Sequence, residues 1–216
     1  MTEHSPHHPG VSGPLRVFAQ IISVLFHPLF TGVWMMAYIT YLHPTIFIAV
    51  SPQSRLLKML TFVNNNVVFP LLVVLLLKGL GFSKSVFLRT QRERIVPYIA
   101  CIIFFFWTWN VFNHQPDAPQ VLRDMCQGIF FATCAALMLN NYFKISMHAI
   151  GMGGMFGLCL VIMLSGAAFS PWPLAASVLL SGMVSSARLI ASDHEPGDIV
   201  TGLLVGLLAQ LVAWWI

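Results

Sequence analysis

Long, nearly unbroken apolar stretches separated by short polar turns make up most of this chain. The apolar residues are continuous rather than alternating, which is the pattern of buried or lipid-facing helices and not of barrel strands. A helix needs about 20 mostly apolar residues to cross the hydrocarbon of a bilayer, and that length divides the sequence. The first apolar region, Leu15 to Val50, exceeds one span and is split at His27-Pro28. It reads as an interfacial or half-inserted piece followed by a crossing from Pro28 to Ile48. Ser51 to Lys58 reads as a polar turn. Further spans are expected at Met59 to Leu80, Ile95 to Phe112, Asp124 to Leu139, Ser146 to Leu164, Pro173 to Ala191 and Pro196 to Ile216. The expected fold is an all-α, polytopic transmembrane helix bundle of six to seven spans. Residues 1–27 form a polar tail and interfacial segment, and residues 28–216 a single transmembrane domain.

Composition agrees. Only 8% of the residues are charged and 57% are hydrophobic, whereas a soluble domain carries about 25% charged residues. A soluble enzyme, a disordered chain and a coiled coil are excluded. The net charge is +4, but the basic residues are scattered between apolar runs and make no face for nucleic acid. The four cysteines (Cys101, Cys126, Cys134, Cys159) sit in apolar runs without metal-ligand spacing, so they read as buried thiols. The N-terminal tail has no basic stretch followed by a small-residue cleavage site, and no cleaved signal peptide is expected.

Small residues four apart, Gly153 with Gly157, Ser181 with Ser185 and Gly202 with Gly206, predict close helix contacts among the last three spans. Counting crossings places the loop at Gly81 to Glu93 and the turns at Asn140 to Lys144 and Arg188 to Asp198 on one membrane face.

Ionisable residues collect on that face. Three of the seven acidic residues, Asp193, Glu195 and Asp198, fall within six positions, beside Arg188 and His194. Pro196 suits the first turn of a helix, which puts Asp198 one turn beyond His194 on the same face. Its carboxylate would accept the Nδ1–H of His194 and leave Nε2 with a lone pair, while Arg188 offers a planar donor fork for a phosphoryl group. Lys144-Ile145-Ser146-Met147-His148 opens another span, where unpaired amides and a hydroxyl suit an anion and His148 suits a proton donor. Arg89, Arg92 and Arg94 lead into the third of the seven crossings. Each group has a plainer reading: a solvated turn, a histidine that only bonds a neighbouring helix, a positive flank that sets topology. Together they are the equipment for metal-free phosphoryl transfer.

These residues resemble the motifs of the type-2 phosphatidic-acid phosphatase superfamily, which includes the vanadium-dependent haloperoxidases. The third motif of that family is Ser-Arg, five residues, His, three residues, Asp; here Arg188, His194 and Asp198 match, with Ala187 in place of the Ser. The second is Pro-Ser-Gly-His, of which Ser146 and His148 remain. The first, Lys, six residues, Arg-Pro, has no counterpart string, and the nearest stretch is Arg89 to Pro97.

The resemblance covers about the last 130 residues. It implies an integral-membrane, metal-independent phosphatase acting on a lipid phosphate or pyrophosphate through a phosphohistidine, with no cofactor. His194 is then the nucleophile, Asp198 its orienting partner and His148 the general acid. Arg188, Ser146 and the Met147 amide bind phosphate. Arg94 is favoured for the first motif with Arg92 and Arg89 behind it, and Lys144 is a substitute for the missing lysine.

Three alternatives stay open: a phosphotransferase on the same site; a transporter or scaffold, supported by Asn64 to Asn66; and a metal-dependent hydrolase using Asp193, His194, Glu195 and Asp198. The positive-inside rule favours a cytoplasmic active face, but setting aside the five candidate site cations leaves three basic residues on each side. The resemblance implies a periplasmic-type face on a bacterial inner membrane. No motif in the chain encodes an oligomeric state.

Overall fold

The computed structural model describes residues 13–82, 91–142, 144–167, 170–191 and 194–216. These segments are helical, with no strand among the described residues. In chain order the helices are α1 (Gly13–Leu25), α2 (Pro28–Ala37), α3 (Pro52–Val63), α4 (Phe69–Gly79), α5 (Gln91–Asn113), α6 (Gln120–Asn140), α7 (Met147–Leu164), α8 (Trp172–Ala191) and α9 (Pro196–Trp215). A π turn, Asn64–Val68, joins α3 to α4 in one helix of 28 residues, Pro52–Gly79. Another, Tyr38–Leu42, prolongs α2.

Among the described residues, six helices are long and apolar enough to cross a bilayer, or up to seven if the bent pair Gly13–Leu25 and Pro28–Leu42 counts as one. The outer surface is apolar: Ile103, Trp107, Leu179, Leu204, Leu208 and Val212 are all exposed. Water would not tolerate such a surface and lipid would, so the chain is an integral membrane protein.

Two boundaries differ from expectation. Ser51 to Lys58 is not a turn, because the helix already begins at Pro52. The Ser51 hydroxyl accepts the Ser54 amide at 3.2 Å, and Pro52 loses nothing at a position where the helix needs no donor. Lys58 is buried because its ammonium bonds Asp117 Oδ1 at 2.7 Å and Ser54 Oγ at 3.0 Å. The crossing that begins at Pro28 ends its helix at Leu42 rather than reaching Ile48. At the split, α1 and α2 meet at 59°, since Pro28 cannot donate into the preceding turn.

The π turn in the long helix also has a local cause. Pro70 has no N–H and its ring would crowd the carbonyl four residues back. The widened turn relieves that crowding, and Asn66 Nδ2 donates to the Phe62 carbonyl (3.0 Å) and to Thr108 Oγ1 of α5 (3.1 Å). The Asn64 to Asn66 run, the best support for a transport path, therefore spends Asn66 on an interhelical hydrogen bond.

Helix α7 is the centre of the bundle, packed on α9, α8, α2 and α6. Its contact with α9 is the closest. A Cβ on Gly206 would collide with the Ile150 carbonyl, and one on Gly153 with that of Leu203. A Cβ on Gly202 would lie 2.8 Å from the Ser146 oxygen, and one on Gly157 2.9 Å from Gln210. The expected glycine stripe thus joins α7 and α9 backbone to backbone. Ser181 contributes as expected, its hydroxyl donating to the Met152 carbonyl at 3.4 Å.

Candidate functional site

The glycine stripe builds the site. Asp198, Gly202 and Gly206 recur every four residues and share one face of α9, so the contact that seats the glycines on α7 also seats Asp198 on the start of α7. The Ser146 amide donates to the Asp198 backbone carbonyl at 3.4 Å, joining the two helix N-termini.

A capping box starts α9: the Glu195 side chain takes the amide of Asp198, and Asp198 Oδ2 takes the Glu195 amide at 3.1 Å. The same oxygen lies 3.3 Å from His194 Nδ1. A carboxylate only accepts, so Nδ1 carries the proton and Nε2 keeps its lone pair. The His194 side chain is 4% exposed. Burial first, then the Arg188 guanidinium, push its pKa below the usual histidine value, against an upward pull from the Asp198 bond. Burial and the Arg188 charge both favour the neutral imidazole.

The cations converge from two other helices. Arg188 ends α8, where its charge suits the negative end of the helix dipole. Its positive charge disfavours protonation of His194. Arg94, in the first turn of α5, is buried, donates to the Ile145 carbonyl at 3.4 Å and also acts on His194. The start of α5 is tied to the end of α6 by a reciprocal pair, Gln91 Nε2 to the Asn140 carbonyl (2.9 Å) and Asn140 Nδ2 to the Gln91 carbonyl (3.0 Å). Arg94 is therefore held beside the start of α7, whereas Arg92 is exposed. Arg89 lies outside the described residues.

Ser146 is fully buried and caps α7, its hydroxyl accepting the Ala149 amide at 3.4 Å. Met147 follows as the first helical residue, a position whose amide has no partner within the helix. Lys144 is half-buried just before it. His148 is in the first turn of α7 but is engaged elsewhere: its Nε2 lies 2.9 Å from the Ser23 carbonyl of α1. That is the helix-to-helix bond of the plainer reading, found at a residue that also lies within the cluster.

One imidazole was missed. His27 sits at the α1–α2 bend, its ring 5.4 Å from that of His148 in an edge-to-face arrangement. Its Nδ1 accepts the Leu29 amide at 3.4 Å and caps α2. The sequence marked His27-Pro28 only as a break. The signal that would have found it is an ionisable residue inside a 36-residue apolar region, Leu15 to Val50.

No three His, Cys, Asp or Glu side chains among the described residues are grouped to hold a metal ion; Asp193, one of the ligands considered for that alternative, lies outside them. Comparison with protein-family profiles, with characterised proteins and with solved structures gave no match to this chain.

Proposed function

We propose that the protein is a membrane-embedded phosphatase that hydrolyses a lipid phosphate or pyrophosphate through a phosphohistidine. The observation that carries this is the pairing of His194 Nδ1 with Asp198 at 3.3 Å, on an imidazole that also feels the charges of Arg188 and Arg94. His194 Nε2 attacks phosphorus as the P–O bond to the lipid breaks. His148 gives the leaving oxygen its proton, and the product is a lipid alcohol, or a lipid monophosphate from a pyrophosphate. Water then attacks phosphorus, forming a P–O bond as the P–N bond breaks, and yields its proton to His148, releasing phosphate and restoring His194. Arg188, Arg94, Ser146 and the Met147 amide hold the non-bridging oxygens, with Arg92, Arg89 and Lys144 lining the approach. Asp198 steadies the imidazolium charge that develops on attack. The lipid tail enters from the bilayer between helices, and the cluster faces the periplasm of a bacterial inner membrane.

The test is direct. Purified protein given short-chain phosphatidic acid in detergent should release phosphate in the presence of chelator and be inhibited by vanadate. Full turnover by His194→Ala would falsify the nucleophile. Transfer to an added alcohol in place of water identifies the phosphotransferase alternative. Accessibility labelling of a cysteine placed at Phe82 reports the orientation.

A further inference from the structure

The catalytic helices do not hold His148 by themselves. Two groups from the opposite end of the chain do so: the Ser23 carbonyl, 2.9 Å from Nε2, and the His27 ring, packed edge-to-face at 5.4 Å. A carbonyl only accepts, so Nε2 of His148 bears a proton and Nδ1 is the atom left with a lone pair. His27 is itself fixed, because its Nδ1 takes the Leu29 amide and its neighbour Pro28 starts α2. The last turn of α1 is fixed as well: the Ser23 hydroxyl donates to the Ala19 carbonyl at 2.9 Å, and α1 packs against α8. Ser23 is buried.

The geometry points to the α1–α2 bend as the positioning element of the acid–base histidine, with His27 as its positioning residue. The Ser23 carbonyl does for His148 what Asp198 does for His194: it selects the tautomer and aims the ring. Nδ1 is therefore the atom that takes up a proton from the bound phosphate monoanion or from solvent, passes it to the leaving oxygen, takes one back from the attacking water and returns it to solvent, while Nε2–H stays on Ser23. His27 touches no reacting atom; its ring closes one side of His148 and stops the imidazole from turning away from Ser23. The chemical part rests on the phosphatase reading, while the orientation rests on the contacts alone.

Three variants separate ring packing from helix capping. His27→Ala removes both, His27→Asn keeps a capping acceptor and removes the ring, and His27→Phe keeps a ring and removes the cap. Nitrogen-15 NMR of histidine-labelled protein in micelles reads the tautomer, the His148 signals being those lost in His148→Ala. We expect the Nε2–H form in the wild-type protein and in His27→Phe, and a mixture of tautomers in His27→Ala and His27→Asn. Turnover of short-chain phosphatidic acid should fall about 10- to 100-fold in the latter two, the range typical of lost orienting partners, with KM little changed and His27→Phe close to wild type. The loss should shrink on p-nitrophenyl phosphate, whose leaving group needs no proton.

A wild-type-like tautomer and kcat in His27→Ala overturn the inference, and so does a His27→Phe protein as impaired as His27→Ala. If the wild-type protein hydrolyses no phosphate ester yet the tautomer still shifts in His27→Ala, the reaction is misassigned and the positioning stands.

Discussion

Replacing Gly206 by Ala tests the closest contact in the bundle without touching any polar group. A Cβ at that position would collide with the Ile150 carbonyl and lie 2.6 Å from the Gly154 nitrogen and 3.0 Å from the Gly153 carbonyl carbon. All three are backbone atoms of α7, so no side chain can swing aside. Restoring ordinary contact requires α7 and α9 to separate by roughly 1 Å, and such a gap forfeits a quarter to a half of the dispersion attraction across it. Overpacking of this kind costs about 1–3 kcal/mol. For a chain of this size that lowers Tm by about 2–4 °C per kcal/mol.

Gly154 is the control, because a Cβ there has nothing nearer than the Gly206 oxygen at 3.9 Å. Gly154→Ala should be neutral or stabilising through the gain in helix propensity. Thermal unfolding in a single detergent compares the variants. The separation also lifts Asp198 from Ser146, and a misplacement of 1 Å near reacting groups can cost about 10²-fold in turnover. Equal Tm values for Gly206→Ala and wild type, or an equal loss in Gly154→Ala, would refute the backbone-contact account.

On the proposed phosphohistidine mechanism, His194→Ala should lower turnover by several orders of magnitude, with Asp198→Asn severe but less so, at about 10²-fold or more; initial rates on phosphatidic acid check both. Because burial and Arg188 depress the His194 pKa, the acid limb of kcat/KM should fall below the ordinary histidine value of about 6.5. The unfolded chain binds that proton more readily, so stability should also decline as pH drops from about 6.5 through the lower folded value, read by unfolding at several pH values. On the opposite face, bonds from Lys58 and then Ser54 hold the Asp117 carboxyl below its usual pKa. Asp117→Asn should destabilise modestly at pH 7, since that carboxyl is largely exposed. The difference from wild type should fade as pH falls through the depressed Asp117 value, again by thermal unfolding.

Spacing and period made the bundle legible. Met147–Leu164, Trp172–Ala191 and Pro196–Trp215 fall within one residue of where apolar length, Pro and polar turns placed them. The contact between His194 and Asp198 is expected from their four-residue offset, but His194 precedes the Glu195 cap, and it is the capping carboxylate of Asp198 turned back over the helix start that meets the ring. What the sequence concealed was tertiary. Lys58 looked like turn polarity because its partner is 59 residues away. His27 looked like a helix break because Ser23 and His148 meet only across a contact of 125 residues. The sequence favours Arg94 over Arg92, but its inward face and its bond to the Ile145 carbonyl depend on the tie between Gln91 and Asn140, 49 residues apart.

The Ser23–His148 contact also bears on assembly. Helix α1 leaves the ribosome well before α9, yet the cluster draws on α1, α5, α7, α8 and α9 together. Until α9 inserts, the earlier imidazoles and guanidiniums sit in or near hydrocarbon without their full complement of neighbours, an unfavourable state that docking of α9 relieves. Chains stalled before α9 should therefore expose unpartnered polar side chains to lipid, which marks them for membrane quality control.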